Sequence, residues 1–198
     1  MKLNARQLRT TLPDPGARAA IAKNPITIIL DNVLDTYNVG SIFRLADAVA
    51  AEKVILCGET LTPPNSRIKK ASINTWGWVD WKYATSAKDA LEKLKSQIPM
   101  TKIIAVEQDA RSKPFSEVQY DFPLAIVVGN ETYGVSKEVL DIADLIVELP
   151  MGGINKSLNV MVSLGIVLYN IMENSTFRPA RLRRGPALRL NQNLDTLS

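Results

Sequence analysis

Apolar residues along this chain fall into short β-branched runs separated by stretches of helical spacing. The runs ITIILDNV (26–33), KVILCG (53–58), WVDWKYA (78–84), KIIAVEQ (102–108), LAIVVG (124–129) and LIVELP (145–150) predict strands. Between them, GSIFRLADAVAA (40–51), SAKDALEKLKSQI (86–98) and SKEVLDIA (136–143) predict helices, and SLNVMVSLGIVLYNIME (157–173) is helical in length. Near-continuous apolar strands alternating with helices predict an α/β fold whose mostly parallel sheet is covered on both faces. Ligands of such sheets gather at the carboxyl ends of the strands.

Two segments depart from this rhythm. GETLTPPNSRIKKASINTWGW (58–78) is a long, turn-rich connection in which Pro63-Pro64 stops regular structure and a short helix follows Ser66. In the last helix Leu158, Val160, Met161, Val162, Leu164, Ile166, Val167, Leu168, Ile171 and Met172 wrap most of the circumference, whereas a surface helix shows one apolar stripe. Either a second copy of the chain covers the extra face, giving a symmetric dimer, or the helix is central within one subunit.

Composition sharpens the picture. A chain of 198 residues with 46% hydrophobic content is long enough for one well-buried domain with short extensions. The division it suggests is a basic N-terminal extension (1–25), a core domain (26–173) and a basic C-terminal extension (174–198). Net charge is only +4, but each extension carries five basic residues against one acidic, which leaves the body acidic. Two basic ends suit an anionic partner such as RNA, because cations that neutralise phosphates release counterions; the plainer reading is a pair of solvated tails. The last segment has too little periodic apolar content to fold alone.

Cys57 is the only cysteine and histidine is absent. No disulfide framework or Cys-rich metal site is expected, and triads or zinc sites built on imidazole are excluded. The expectation is a protein of the reducing cytoplasm, with no metal, no signal peptide and no membrane span.

Chemistry concentrates in three clusters after strands. The first, DTYNVGSIFRLADA (35–48), offers Asn38 as a helix cap, Gly40 for a tight turn or close ligand approach, and Arg44 one turn later, free to pair with Asp35 or Asp47. The second, VVGNETYGVS, places Gly129, Glu131 and Gly134 between strand and helix. A carboxylate at the mouth of an apolar strand is costly unless it caps, binds or reacts. The third, LPMGGINKSLNV, runs from a strand end through Gly152-Gly153 to Ser157 and Asn159 at the last helix. Such loops can cradle phosphate, yet neither G-x-G-x-x-G after the first strand nor G-x-x-x-x-G-K-[ST] occurs.

NVGSIFRLADA, VVGNETYGVS and LPMGGINKSLNV resemble, in order, the three signature motifs of the SpoU-type (TrmH) branch of the SPOUT RNA 2′-O-ribose methyltransferases, over roughly residues 26–173. The resemblance implies a SPOUT-like parallel-sheet α/β/α domain with a C-terminal trefoil knot, a homodimer through the last helix, and S-adenosylmethionine (S-adenosyl-L-methionine) as methyl donor. It puts Gly129, Leu149 and Leu158 against the cofactor, with Met151 nearby, and Asn38, Arg44, Glu131, Ser157 and Asn159 around the reacting groups. Ala50-Ala51 stand where relatives usually place glycine, and MVSLGI replaces a common alanine-rich run; neither touches a polar motif position. The basic extensions resemble those of the transfer-RNA enzymes, so tRNA is favoured over rRNA. A catalytically inactive RNA-binding module of this fold, or an enzyme using the loops as nucleotide-phosphate cradles, are the competing expectations.

Overall fold

The structure, a computed structural model, describes residues 2–174. The expected C-terminal extension lies outside the described residues, apart from Asn174.

Among the described residues seven strands form one sheet: β1 (Asn24–Asp31), β2 (Ala51–Cys57), β3 (Trp81–Ala84), β4 (Lys102–Val106), β5 (Lys113–Pro114), β6 (Leu124–Val128) and β7 (Leu145–Glu148). Their order is β3-β2-β1-β6-β4-β7-β5, with every neighbouring pair parallel. The helices are α1 (Ala5–Thr10), α2 (Pro15–Ala19), α3 (Thr36–Ala48), α4 (Ser66–Ser72), α5 (Ala87–Gln97), α6 (Lys137–Leu140) and α7 (Val160–Asn174). Among the described residues no helix is long and apolar enough to cross a membrane.

The central strands β1, β4 and β6 are largely apolar because both faces are covered. Along β1, Ile26, Ile28 and Leu30 join the core beneath α3 and α7, while Ile29 points into a second core beneath α5. β6 repeats the alternation, with Leu124, Ile126 and Val128 on the first side and Ala125 and Val127 on the second. Each such Ile, Leu or Val side chain contributes about 1.5–3 kcal/mol by leaving water, and together these rows fix the strand registers.

Helix boundaries differ from expectation for identifiable reasons. α3 begins at Thr36 because the Asp35 carboxylate accepts the Tyr37 N–H at 2.8 Å, so Asp35 and not Asn38 is its cap. Gly40 therefore lies inside α3, and its role is neither turn nor ligand approach. A Cβ there would sit 2.6 Å from the Ala71 Cβ and 2.8 Å from the Ile68 carbonyl, so Gly40 is where α4 packs tightly against α3. α7 begins three residues later than expected, at Val160. Its Leu164, Val167, Leu168 and Ile171 are buried, while Val162, Ile166 and Tyr169 form an exposed stripe on another face.

The N-terminal segment is not a free tail. α1 opens with a capping box in which Asn4 and Gln7 exchange side-chain to backbone bonds, and Asp14-Pro15 starts α2. The segment docks where Arg18 pairs with Asp80 and donates to the Gly77 carbonyl, and where the Asn74 amide donates to the carbonyls of Leu8 and Arg9.

Candidate active site

The carboxyl ends of β4, β6 and β7, adjacent in the sheet, open onto a cleft of about 400 Å³. Of the residues singled out in the sequence, Gly129, Glu131, Leu149, Met151, Ser157, Leu158 and Asn159 all line it. Asn38 and Arg44 do not, although Asn38 bonds to two residues that do.

A short chain of hydrogen bonds ties the three sequence clusters together. The Asn159 amide donates to Asn38 Oδ1 at 3.0 Å, and the Asn38 amide donates to Glu131 Oε1 at 2.9 Å. Glu131 also accepts the backbone N–H groups of Leu34 (3.0 Å) and Asp35 (3.1 Å). Partial burial pushes the Glu131 carboxyl upward, but the Asn38 amide and these N–H donors outweigh it and leave the acid below its ordinary value. Asn159 Oδ1 in turn accepts from Met161 N (2.9 Å) and Val162 N (3.3 Å), capping α7. One residue thus sets the start of the last helix and anchors it to α3.

The glycine-bracketed turn after β6 is held by acids at the ends of two other strands. Asp31, at the end of β1 and only 2% exposed, accepts the Ser136 N–H at 2.9 Å. Glu107, just after β4, accepts those of Val135 (2.8 Å) and Gln108 (2.9 Å). Gly129 is required by close approach, since a Cβ there would overlap the Gly134 carbonyl and Val135 nitrogen. Gly134 has φ +72°, and a Cβ would also strike the Glu107 carboxylate. Asn130 closes the turn, donating to the Asn32 carbonyl and accepting from Thr132 and Tyr133.

Glu107, Gln108 and Asn130 were not singled out in the sequence. Gln108 lines the cleft and donates its amide to the Lys156 carbonyl at 2.5 Å, bridging the ends of β4 and of the β7–α7 connection. The signal was present: AVEQ, like VVGNE, places a carboxylate where an apolar strand ends.

Arg44 is exposed and has neither of its expected partners, making no ion pair among the described residues with Asp35 or Asp47. It stands on the solvent side of α3, two helical turns beyond Tyr37 and six residues beyond Asn38. Ser157 is also exposed, and its hydroxyl reaches Asn155 at 3.4 Å.

The parallel α/β sheet with its cleft at the strand ends is an architecture shared in fold with solved RNA-modifying enzymes. An Aquifex aeolicus TrmH/SpoU tRNA modifying enzyme superposes with TM-score 0.71 at 27% identity, over 86% of this chain and 81% of that one. An AdoMet-bound rRNA methyltransferase from Sinorhizobium meliloti gives 0.70 at 26%, over 84% and 59%. Residues 25–169 match the SpoU rRNA Methylase family, and the chain belongs to that family. In sequence it is 34% identical over 148 residues to the A. aeolicus tRNA (guanosine(18)-2′-O)-methyltransferase, covering 73% of this chain and 67% of that relative. The chain spans between 57% and 72% of the length of other curated relatives that it matches.

Proposed function

We propose that the chain is an S-adenosylmethionine-dependent RNA 2′-O-ribose methyltransferase acting on tRNA. The observation that carries this reading is the Asn159–Asn38–Glu131 chain, which joins the cleft to the helix bearing Arg44. The names of the relatives, several of them tRNA (guanosine(18)-2′-O)-methyltransferases, support it.

The cleft fits the proposed cofactor better than a nucleotide polyphosphate. Glu107, Glu131 and Glu148 line it against a single Lys156, a balance that favours a cationic sulfonium over phosphate. The N–H groups that would cradle phosphate are also taken, those of Val135 and Ser136 by Glu107 and Asp31 and those of Met161 and Val162 by Asn159. Leu149, Met151 and Leu158 supply apolar walls for an adenine. When bound, S-adenosylmethionine supplies an electrophilic methyl group.

The chain's own residues then align the ribose and handle charge. Deprotonating Arg44 to make it a base would cost roughly 7 kcal/mol at pH 7. It acts instead as a cation that clamps the RNA phosphate beside the target ribose and polarises the 2′-oxygen, the hydroxyl proton leaving to phosphate or water. Its lack of an ion-pair partner among the described residues suits that role. Glu131 holds Asn38 and, through it, Asn159, so that Ser157 and Leu158 are presented to the cleft.

The working division is residues 1–25, 26–173 and 174–198. The connection from β7 to α7 lines the cleft from Leu149 to Asn159 and bonds to Asn38, which is consistent with the trefoil knot that the family resemblance implies. Val162, Ile166 and Tyr169 continue an apolar stripe from Leu158, which supports a homodimer through α7. The test is transfer of labelled methyl from S-adenosylmethionine to total tRNA and rRNA, followed by mapping of 2′-O-methyl sites. Transfer to rRNA alone would move the substrate; no transfer to any RNA, despite RNA binding, would favour the inactive binding module.

A further inference from the structure

A second concavity lies on the far side of α4 from α3. It measures about 280 Å³ and is lined by Arg9, Ser66, Lys69, Lys70, Ile73 and Asn74. One wall is the last turn of α1, the other the last turn of α4. Arg9, Lys69 and Lys70 are exposed, as are Arg6 and Arg67 beside them, and none forms an ion pair among the described residues. The sequence provides no acid to neutralise them locally: there is none before Asp14 and none between Glu59 and Asp80.

Two helix C-termini meeting at a groove would normally repel an anion, because their last carbonyls point outward. Here the carbonyls of Leu8 and Arg9 accept the Asn74 amide at 3.2 and 3.1 Å, which masks them. Ile73 and Asn74 both adopt left-handed conformations, φ 52° and 67°, and this turn aims the amide at α1. A branched residue at positive φ costs stability, so the turn persists against its own preference.

We propose that this groove binds phosphates of the RNA backbone, with Arg9, Lys69 and Lys70 as the contacting cations. The inference rests on the RNA substrate proposed above and adds where the backbone runs. α4 is pressed against α3 at Gly40, two residues from Asn38. A strand held in the groove therefore lies across α4 from the Asn38–Glu131 corner, beyond the roughly 8–10 Å that separates packed helix axes. The N-terminal segment contributes as a docked wall of the groove, with Arg18 spent on docking and Arg9 left for the ligand.

The test compares the full chain with Lys69→Gln/Lys70→Gln, and with the triple variant that adds Arg9→Gln, in binding total tRNA from 50 to 250 mM KCl. Each lost phosphate contact lowers the slope of log affinity against log salt by about 0.7–0.9, so the triple variant's slope drops by about 2 and its affinity at least tenfold near 0.1 M salt. Calorimetric affinity for S-adenosylmethionine stays unchanged, KM for tRNA rises while kcat at saturation holds, and Lys69→Arg/Lys70→Arg binds as wild type. Melting temperatures show that the variants fold; if loss of Arg9 undocks α1, the lysine pair alone decides. Unchanged slope and affinity overturn the groove while methyl transfer leaves the enzyme reading standing. A variant-sensitive slope in a protein that methylates nothing keeps the groove and removes the enzyme reading.

Discussion

The acids around the cleft and the exposed cations on α3 and around α4 are treated in opposite ways. Asp31, Glu107 and Glu131, all at strand ends around the cleft, each accept backbone N–H groups from a neighbouring turn. Arg44 on α3 and Arg9, Lys69 and Lys70 around α4 have no ion-pair partner among the described residues. The carboxylates complete the protein: they fix the turns after β1 and β6 before any ligand arrives, which is what a site that must align two reactants requires. The cations complete themselves only against something else. Buried polar groups that are satisfied preorganise, and exposed like charges left unpaired mark where a polyanion is expected.

The contrast predicts that the largest functional loss comes from the cation side without a structural cost. Arg44→Ala should lower methyl transfer by about 10²–10³, the usual penalty for removing one donor that stabilises developing charge. Binding of S-adenosylmethionine and the melting temperature should stay as in wild type. Turnover within a few-fold of wild type would remove Arg44 from the mechanism.

Close packing gives the next largest effect, now on stability. Gly40→Ala inserts a Cβ 2.9 Å or less from Ser72 N, the Ile68 carbonyl and the Ala71 side chain. Overpacking of this kind costs about 1–3 kcal/mol, and each kcal/mol lowers the melting temperature by about 2–4 °C in a chain of this size. If the α3–α4 contact also places the groove relative to the cleft, KM for tRNA should rise as well. An unaffected melting temperature would mean that α4 is free to step back.

Gly40 also shows where the sequence misled. An Asn two residues before a glycine after a strand reads as a cap and a tight turn, and only Asp35, three residues before Asn38, revealed that the helix had already begun. The main strands were legible because burial on both sides makes each a continuous apolar run, whereas β5 is two residues long and carries no periodicity. The three corners were legible as glycine-bearing turns, but not their mutual bonds: Asn38 and Asn159 are 121 positions apart, and local pattern says nothing about such pairs. Glu107 could have been found by the reasoning that found Glu131. The N-terminal helices had legible starts in Asn4 with Gln7 and in Asp14-Pro15, yet a count of charges there suggested only a tail.

A smaller effect should follow from the acid side. Glu131 has its folded-state acidity strengthened relative to the ordinary value of 4.5, so it stabilises the fold fully above that value and loses this as pH falls through its folded-state titration. Glu131→Gln cannot titrate. The stability gap between wild type and variant should therefore be widest at neutral pH and shrink toward pH 3 in thermal melts. A gap of constant size across that range would assign the loss to shape and not to charge.

The smallest expected effect separates two arginines of one segment. Arg18 pairs with Asp80 and reaches the Gly77 carbonyl, whereas Arg9, nine residues earlier, faces the groove. The Arg18–Asp80 pair is one-third exposed on one side and more than half on the other, so solvent screens it and its loss is worth at most about 1 kcal/mol. Arg18→Ala should lower the melting temperature slightly and leave the salt dependence of tRNA binding unchanged. Arg9→Ala should do the reverse, lowering the salt slope by about 0.7–0.9 with little change in stability. If instead Arg18→Ala weakens RNA binding as much as Arg9→Ala does, the extension acts through its charge as a whole, and the assignment of separate duties within it falls.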